Sequence, residues 1–76
     1  KVYPNPVQSF LNISLPKISL KEDIKVYDAN GRMVISKKVT ETNIMLDVKH
    51  LTKGVYFIKV TDENGEETYC TRFMKQ

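Results

Sequence analysis

The chain has 76 residues, enough for one small domain, and its formal net charge of +3 is mild. Its hydrophobic fraction of 41% and charged fraction of 28% are ordinary for a soluble globular protein. A nucleic-acid-binding module would show a basic stripe with aromatic residues among it, but lysines and acids are interspersed here.

The sequence also lacks the segments that would mark a membrane-spanning chain or a signal peptide. No apolar run approaches the ~20 residues that a spanning helix needs. The first residue is Lys1 rather than methionine, and the sequence shows no signal peptide. We therefore expect the chain to be a piece of a longer protein.

The first predicted elements are an opening loop or edge strand and then a half-buried strand. Pro4 and Pro6 remove backbone donors on either side of Asn5, which suits an edge position. Apolar and polar residues alternate through residues 11–15, which predicts a strand with one buried face. Ile and Leu in residues 18–20 predict a further short strand.

A hairpin follows. Alternation over Ile24–Tyr27 predicts a strand, and Asp28–Gly31 reads as its turn. The Asn-Gly pair in that turn tolerates the positive φ values of a tight, primed two-residue turn. The return strand is predicted within Arg32–Val39, and a second alternating run predicts another strand over Ile44–Val48.

The central predicted element is the strand after the Leu51–Gly54 corner. Gly54 supplies the backbone freedom that such a corner needs. The β-branched and aromatic residues of Val55–Val60 predict a strand in the interior of a sheet. Because Tyr56 follows this leucine and glycine, we expect a tyrosine corner, with the phenol bonded to backbone just upstream.

A second hairpin repeats the first, since residues 58–65 copy residues 24–31 almost letter for letter. Its return strand is predicted over Glu67–Lys75. The oxygen-rich residues 62–67 could suggest calcium, but they do not match the EF-hand pattern, and a hairpin turn accounts for them better. Cys70, the single cysteine, is expected to be a buried or half-buried apolar side chain of this strand.

These elements predict an all-β antiparallel sandwich of about seven short strands, forming one domain over residues 1–76. No catalytic group is apparent. One histidine and one cysteine cannot form a usual four-ligand zinc site, and there is no glycine-rich phosphate loop or nucleophile elbow. We expect no enzyme activity, no metal and no cofactor.

Several short motifs occur in a specific order along nearly the whole chain. They are Tyr3–Val7, Leu11–Ile13, Val26–Asp28, Asn30–Val34, Leu46–Val48, Leu51, Gly54–Tyr56 and Arg72–Lys75. In this order they resemble the type A C-terminal sorting domain of the type IX (Por) secretion system of Bacteroidetes. The family's final segment usually begins with lysine, where this chain has Arg72.

The resemblance implies an Ig-like β-sandwich that acts as a signal rather than a catalyst. Such a domain directs a cargo protein, N-terminal to it, from the periplasm through the outer-membrane secretion translocon to the cell surface or beyond. A sortase-like cysteine peptidase commonly removes the domain as the cargo is anchored. Carried over by position, the recognition motif comprises Gly31, Arg32, Val34, Gly54, Tyr56, Arg72, Phe73 and Lys75.

The residues alone leave other roles open. Arg72 and Lys75 could project from a free terminal strand toward a partner, or they could be ordinary solvated charges on an edge strand. If the terminal strand is weakly paired, loss of residues 72–76 should leave most of the sandwich folded. The main rival function is an adhesion or carbohydrate-binding module, for which Tyr27 and Tyr69 are the tyrosines expected to face outward.

Overall fold

In the computed structural model, the structure describes residues 2–15, 22–39 and 41–76. The strand predicted at residues 18–20 lies outside them. The described residues contain no helix that is long and apolar enough to cross a membrane. They form seven strands, which are β1 (Val2–Tyr3), β2 (Phe10–Ser14), β3 (Asp23–Tyr27), β4 (Met33–Lys38), β5 (Asn43–Asp47), β6 (Gly54–Thr61) and β7 (Glu67–Lys75).

The strands form two sheets, and every pairing between them is antiparallel. The smaller sheet has the order β1-β2-β5, and the larger has the order β4-β3-β6-β7. Strand β6 therefore lies in the interior of the larger sheet, as its apolar sequence predicts. Strand β1 is an edge strand, in keeping with the prolines that follow it.

The core lies between the inner faces of the two sheets, where strand alternation places the apolar side chains. In β2 and β5, Leu11 and Ile13 pair with Leu46 and Ile44, and all four are buried. The buried cluster contains residues from both sheets and from the segments that join them: Val7, Leu11, Ile13, Leu15, Ile24, Val26, Val39, Ile44, Leu46, Val48, Leu51, Tyr56, Ile58, Val60 and Phe73. The predicted all-β antiparallel sandwich is confirmed.

The hairpin turns differ from the predicted primed two-residue turns. Gly31 and Gly65 have positive φ values of 86° and 81°, as expected, but no described residue other than a glycine has a positive φ. Primed turns of the type predicted require positive φ at Asn30 as well. Instead, the Gly31 N–H donates to the Asp28 carbonyl, so the glycine closes a wider, three-residue connection.

The side chain of the first turn residue explains this wider geometry. Asp28 Oδ1 accepts the backbone N–H groups of Asn30 and Arg32, each at 2.9 Å. Asp62 Oδ1 does the same for Asn64 and Glu66, at 2.9 and 3.0 Å. The carboxylate thus orders the connection from inside, and the same solution is used in both hairpins.

Strand β7 corrects two predictions about which side chains face the solvent. Cys70 is exposed, not buried or half-buried, and Tyr69 packs partly against the core instead of facing outward. Phe73 is directly opposite Tyr56 and shares the inner face with it. Alternation from Phe73 places Tyr69 on the inner side and Cys70 on the outer side.

Candidate recognition surface

The corner before β6 is a tyrosine corner, as predicted. The Tyr56 hydroxyl donates to the Thr52 carbonyl oxygen at 2.7 Å and lies 3.2 Å from the Thr52 hydroxyl. Gly54 has a φ of 153°, a region that side chains with a Cβ rarely enter. The phenol therefore closes the loop on itself and fixes where β6 begins.

The corner is joined to the last strand by an aromatic stack. The rings of Tyr56 and Phe73 have centroids 5.5 Å apart and planes inclined by 16°. Both side chains are buried. Phe73 is thus a core residue that holds the end of β7 against the corner, rather than a side chain offered to a partner.

The end of β7 is also held by the opening segment of the chain. The Val7 N–H donates to the Met74 carbonyl, the Gln76 N–H donates to the Val7 carbonyl, and the Met74 N–H donates to Asn5 Oδ1, at 2.9, 2.8 and 2.9 Å. The peptide bonds before Pro4 and Pro6, which flank Asn5, are both cis. The final strand is therefore tied down at its terminus and is not a free end.

Lys75 takes neither of the two roles that the sequence left open, since it is neither projected toward a partner nor a solvated charge. Its side chain is buried, and its ammonium donates to the Gln76 carbonyl at 2.9 Å. The residue lies on the same side of β7 as Phe73 and forms a parallel β-bridge with Val7. Arg72 lies on the opposite side and is exposed, so only this cation of the pair is available at the surface.

The turn between β3 and β4 is stabilised electrostatically. The backbone N–H of Arg32 donates to the Asp28 carboxylate and, with the Arg32 side chain and the Asn30 N–H, lowers the pKa of Asp28 against a smaller opposing effect of desolvation. Arg32 Nε lies 3.2 Å from Asp28 Oδ2, and the Arg32 side chain is otherwise largely exposed. The ion pair holds the guanidinium beside the turn.

The register brings the predicted motif residues to one end of the larger sheet. Gly54 pairs with Lys75, Tyr56 pairs with Phe73, and the first turn follows Tyr27, which pairs with Phe57. The β3–β4 turn, the corner and the end of β7 are therefore neighbours. We call this end of the sheet, formed by residues 27–34, 50–57 and 72–76, the motif end.

The predicted motif residues at this end differ in what they can do. Gly31 and Gly54 shape the backbone, and Tyr56, Phe73 and Lys75 are buried. Val34 is half-buried and packs against the core. Arg32 and Arg72 alone present exposed side chains, so most of the motif builds the end of the sheet.

Sequence reasoning missed several exposed residues at the motif end. Met33, Phe57 and Met74 lie on the outer face, turned away from the core, beside Tyr27, which was expected to face outward and is half-buried. Alternation from Tyr56 places Phe57 on the opposite face to the core, and this signal was available in the sequence. The positions of Met33 and Met74 depend on cross-strand register, which the sequence does not provide.

The described residues show no sign of metal chemistry. No group of three or more histidine, cysteine or acidic side chains is placed to hold a metal ion among them. In the oxygen-rich turn at residues 62–67, Asp62 Oδ1 already accepts the N–H groups of Asn64 and Glu66. The Asp62 carboxylate is therefore used in backbone hydrogen bonds of the turn.

Comparison with known proteins gives a consistent result. Residues 1–76 match the family of secretion system C-terminal sorting domains. The chain is 34% identical over 74 residues to ulvan lyase NLR42 of Nonlabens ulvanivorans, and 36% identical over 66 residues to beta-agarase D of Zobellia galactanivorans. These alignments cover 96% and 87% of this chain but only 14% and 13% of the two enzymes.

Proposed function

Since the chain belongs to the family of secretion system C-terminal sorting domains, we propose that it directs a cargo protein through the outer-membrane translocon of the type IX secretion system. The cargo lies N-terminal to the domain in the same polypeptide. Two relatives, an ulvan lyase and a beta-agarase, support this arrangement. The region similar to this chain is only a small part of each of these enzymes. The domain itself contributes no catalysis.

In this proposal, the complete protein crosses the periplasm and reaches the cell surface or the extracellular space. A sortase-like peptidase then separates the domain from its cargo at a point before the first strand. The opening segment and the end of the domain are joined, because the Gln76 N–H donates to the Val7 carbonyl. A compact tail of this kind can be recognised while folded and then removed as a unit.

The observation that carries the proposal is the match of the whole chain to the family. The structure is consistent with it, since the motif residues gather at one end of the larger sheet. The carbohydrate-binding alternative finds less support. Of its two candidate tyrosines, Tyr69 packs against the core, and the ring of Tyr27 lies 5.6 Å below the Lys59 ammonium.

The proposal is tested by fusing residues 1–76 to the C-terminus of a reporter that carries a periplasmic targeting signal. In a Bacteroidetes host with an active type IX system, we expect the reporter to become accessible to protease at the cell surface. In the same host without a functional translocon, it should remain protected in the periplasm. Mass spectrometry of the surface reporter should show loss of the domain.

The controls separate this proposal from its alternative. The reporter alone should stay in the periplasm. A fusion carrying Phe73→Ala, which loses a buried ring, should also stay there. Equal surface exposure with and without the domain would overturn the proposed function. Selective binding of the fusion to a glycan array, without export, would favour a carbohydrate-binding module instead.

A further inference from the structure

A row of side chains crosses the outer face of the larger sheet at the motif end. Met33 is opposite Tyr27, Tyr27 is opposite Phe57, and Phe57 is opposite Arg72 in the strand register. Directly opposite residues share a face of the sheet. Val55 and Met74 form the next pair on the same face, so an apolar surface runs across all four strands.

We call this surface the outer patch, and it consists of Tyr27, Met33, Val55, Phe57, Arg72 and Met74. Met33, Phe57 and Met74 are 54%, 39% and 49% exposed, although each is a large apolar side chain. Single exposed apolar residues are normal, but contiguous ones mark interaction sites. Methionine, aromatic residues and arginine are also the types enriched in the centres of protein interfaces.

Three cations lie on the face of the sheet that carries the outer patch. Lys25 and Lys59 are opposite each other on this face, and Arg72 ends the row. Among the described residues, none of these three cations has an ion pair. Two acids of β3 and its turn are already engaged, since Asp28 pairs with Arg32 and Asp23 pairs with Lys38 at 3.5 Å. Glu67 lies opposite Thr61, toward the other end of the sheet.

We infer that the outer patch docks an apolar segment that carries carboxylates, on a protein of the secretion machinery. This inference rests on the proposed function, and it names the surface and the chemistry by which a partner protein recognises the domain. The carboxylates would meet Arg72, Lys59 and Lys25, and the apolar side chains would cover Phe57 and the methionines. A second copy of this chain is a poor occupant, because it would bring the same cations face to face.

The other sheet provides matched controls for the apolar contacts. Phe10 is 43% exposed and Met45 is 56% exposed, close to the values for Phe57 and Met74. Both lie on the outer face of the smaller sheet, where Phe10 is opposite Asp47, and Met45 is opposite Asn12, which is in turn opposite Tyr3. Each sheet also has a lysine over an aromatic ring: Lys49 Nζ lies 5.0 Å from the Phe10 centroid, and Lys59 Nζ lies 5.6 Å from the Tyr27 centroid.

The experiment compares four variants of the reporter fusion in the type IX-competent host. Phe57→Ser and Met74→Ser should each reduce surface exposure of the reporter by about tenfold or more, the effect of truncating one interface hot spot. Phe10→Ser and Met45→Ser should leave it near the unmodified level. Thermal unfolding of each purified fusion checks that the paired variants are equally folded.

The charge requirement is tested at Arg72. Arg72→Lys should export nearly normally, Arg72→Gln should export less, and Arg72→Glu should export least, because an acid would repel the partner's carboxylates. Lys49→Glu, on the other sheet, should have no such effect. If the three Arg72 variants export equally, the charge assignment is wrong.

The remaining outcomes are decisive in the same way. Normal export of folded Phe57→Ser and Met74→Ser fusions, or equal losses in the Phe10→Ser and Met45→Ser controls, would overturn the docking surface while leaving the proposed function intact. Failure of the unmodified fusion to export would instead overturn the proposed function. Sedimentation of the fusion with phosphatidylcholine–phosphatidylglycerol vesicles, lost in Phe57→Ser, would show that a lipid surface rather than a protein is the occupant.

Discussion

The larger sheet has the same turn at both of its ends, but the two ends differ in almost everything else. Asp28–Gly31 closes β3 to β4 at the motif end, and Asp62–Gly65 closes β6 to β7 at the far end. Backbone and carboxylate hydrogen bonds agree within 0.1 Å between them, including a glycine N–H bond of 3.0 Å in each. The shared Asp-x-Asn-Gly sequence therefore determines the turn.

What differs is the residue after the glycine and the surroundings of the turn. Arg32 returns an ion pair to Asp28, whereas Glu66 follows Gly65 and carries a charge of the same sign as Asp62. Only the motif end adds the tyrosine corner, the Tyr56–Phe73 stack and the bonds to Val7. A turn used for structure at one end thus borders a candidate recognition surface at the other.

The largest expected effect comes from deleting the strand end that the motif end holds. Loss of Arg72–Gln76 removes Phe73, whose burial alone is worth about 3–5 kcal/mol by analogy with core truncations. The total stability of a domain this small is about 4–11 kcal/mol. We expect the truncated domain to show no cooperative unfolding transition in urea, and a native-like transition would show that the motif end is not a structural requirement.

This expectation replaces the one drawn from the sequence, in which the truncated sandwich stays folded. That reasoning assumed few backbone pairs at the chain end, but β7 pairs with β6 through Lys75 and Gln76 bonds to Val7. An export defect of the truncated domain would therefore report unfolding, and only point variants such as those at Arg72 can isolate recognition.

The next effect in size concerns the glycines, and it should be equal at the two ends. Gly31→Val and Gly65→Val should each lower the free energy of unfolding by about 1 kcal/mol or more, because a β-branched residue resists positive φ. A Cβ at either position would meet no atom within 4 Å, so packing adds nothing. Urea titrations giving clearly unequal losses would break the equivalence of the two turns.

The tyrosine corner should show a somewhat smaller effect that is confined to the motif end. Tyr56→Phe should lower the free energy of unfolding by about 0.5–1.5 kcal/mol, the net value of one hydrogen bond. Tyr27→Phe is the matched control on the outer face and should change stability less. Equal denaturation curves for the native chain and Tyr56→Phe would show that the hydrogen bond of the tyrosine corner does not stabilise the fold.

The smallest effect is a pH dependence at the first turn. The native pKa of Asp28 lies below its usual value, so ionised Asp28 stabilises the fold above that value, about 3.9. This contribution is lost as the pH falls through the lower, native pKa. The stability difference between the native chain and Asp28→Asn should be constant from pH 7 to about pH 5 and shrink toward pH 3; a difference that grows on acidification would contradict it.

The sequence predicts most of this architecture, because period-2 alternation in β2, β3, β5 and β6 is strong and consistent. In β7 it is not. Tyr69 and Phe73 lie on one face with Lys75, while Cys70 and Met74 lie on the other with Arg72, so each face mixes apolar and charged residues. Either face could have been the inner one until the stack of Phe73 on Tyr56 was known.

The candidate surface was harder to predict for a related reason. Most of the motif residues named from the family resemblance have no exposed side chain. Tyr56, Phe73 and Lys75 are buried, and the glycines set the backbone conformation. The exposed partners of Arg72 are set by cross-strand register, with a register shift between Val26 and Tyr27 that brings Met33 opposite Tyr27. No local pattern in the chain encodes that shift.

The central claim is that the domain is recognised at its motif end, and the two equivalent turns allow the most direct measurement. The same short Gly-Ser insertion is placed after Ala29 or after Glu63 in the reporter fusion, so both variants carry an equal change in an equivalent turn. With both domains shown to be folded, we predict that the insertion after Ala29 keeps the reporter in the periplasm and that the insertion after Glu63 allows its surface exposure. Equal export of both, or loss of export only with the insertion after Glu63, would contradict the claim.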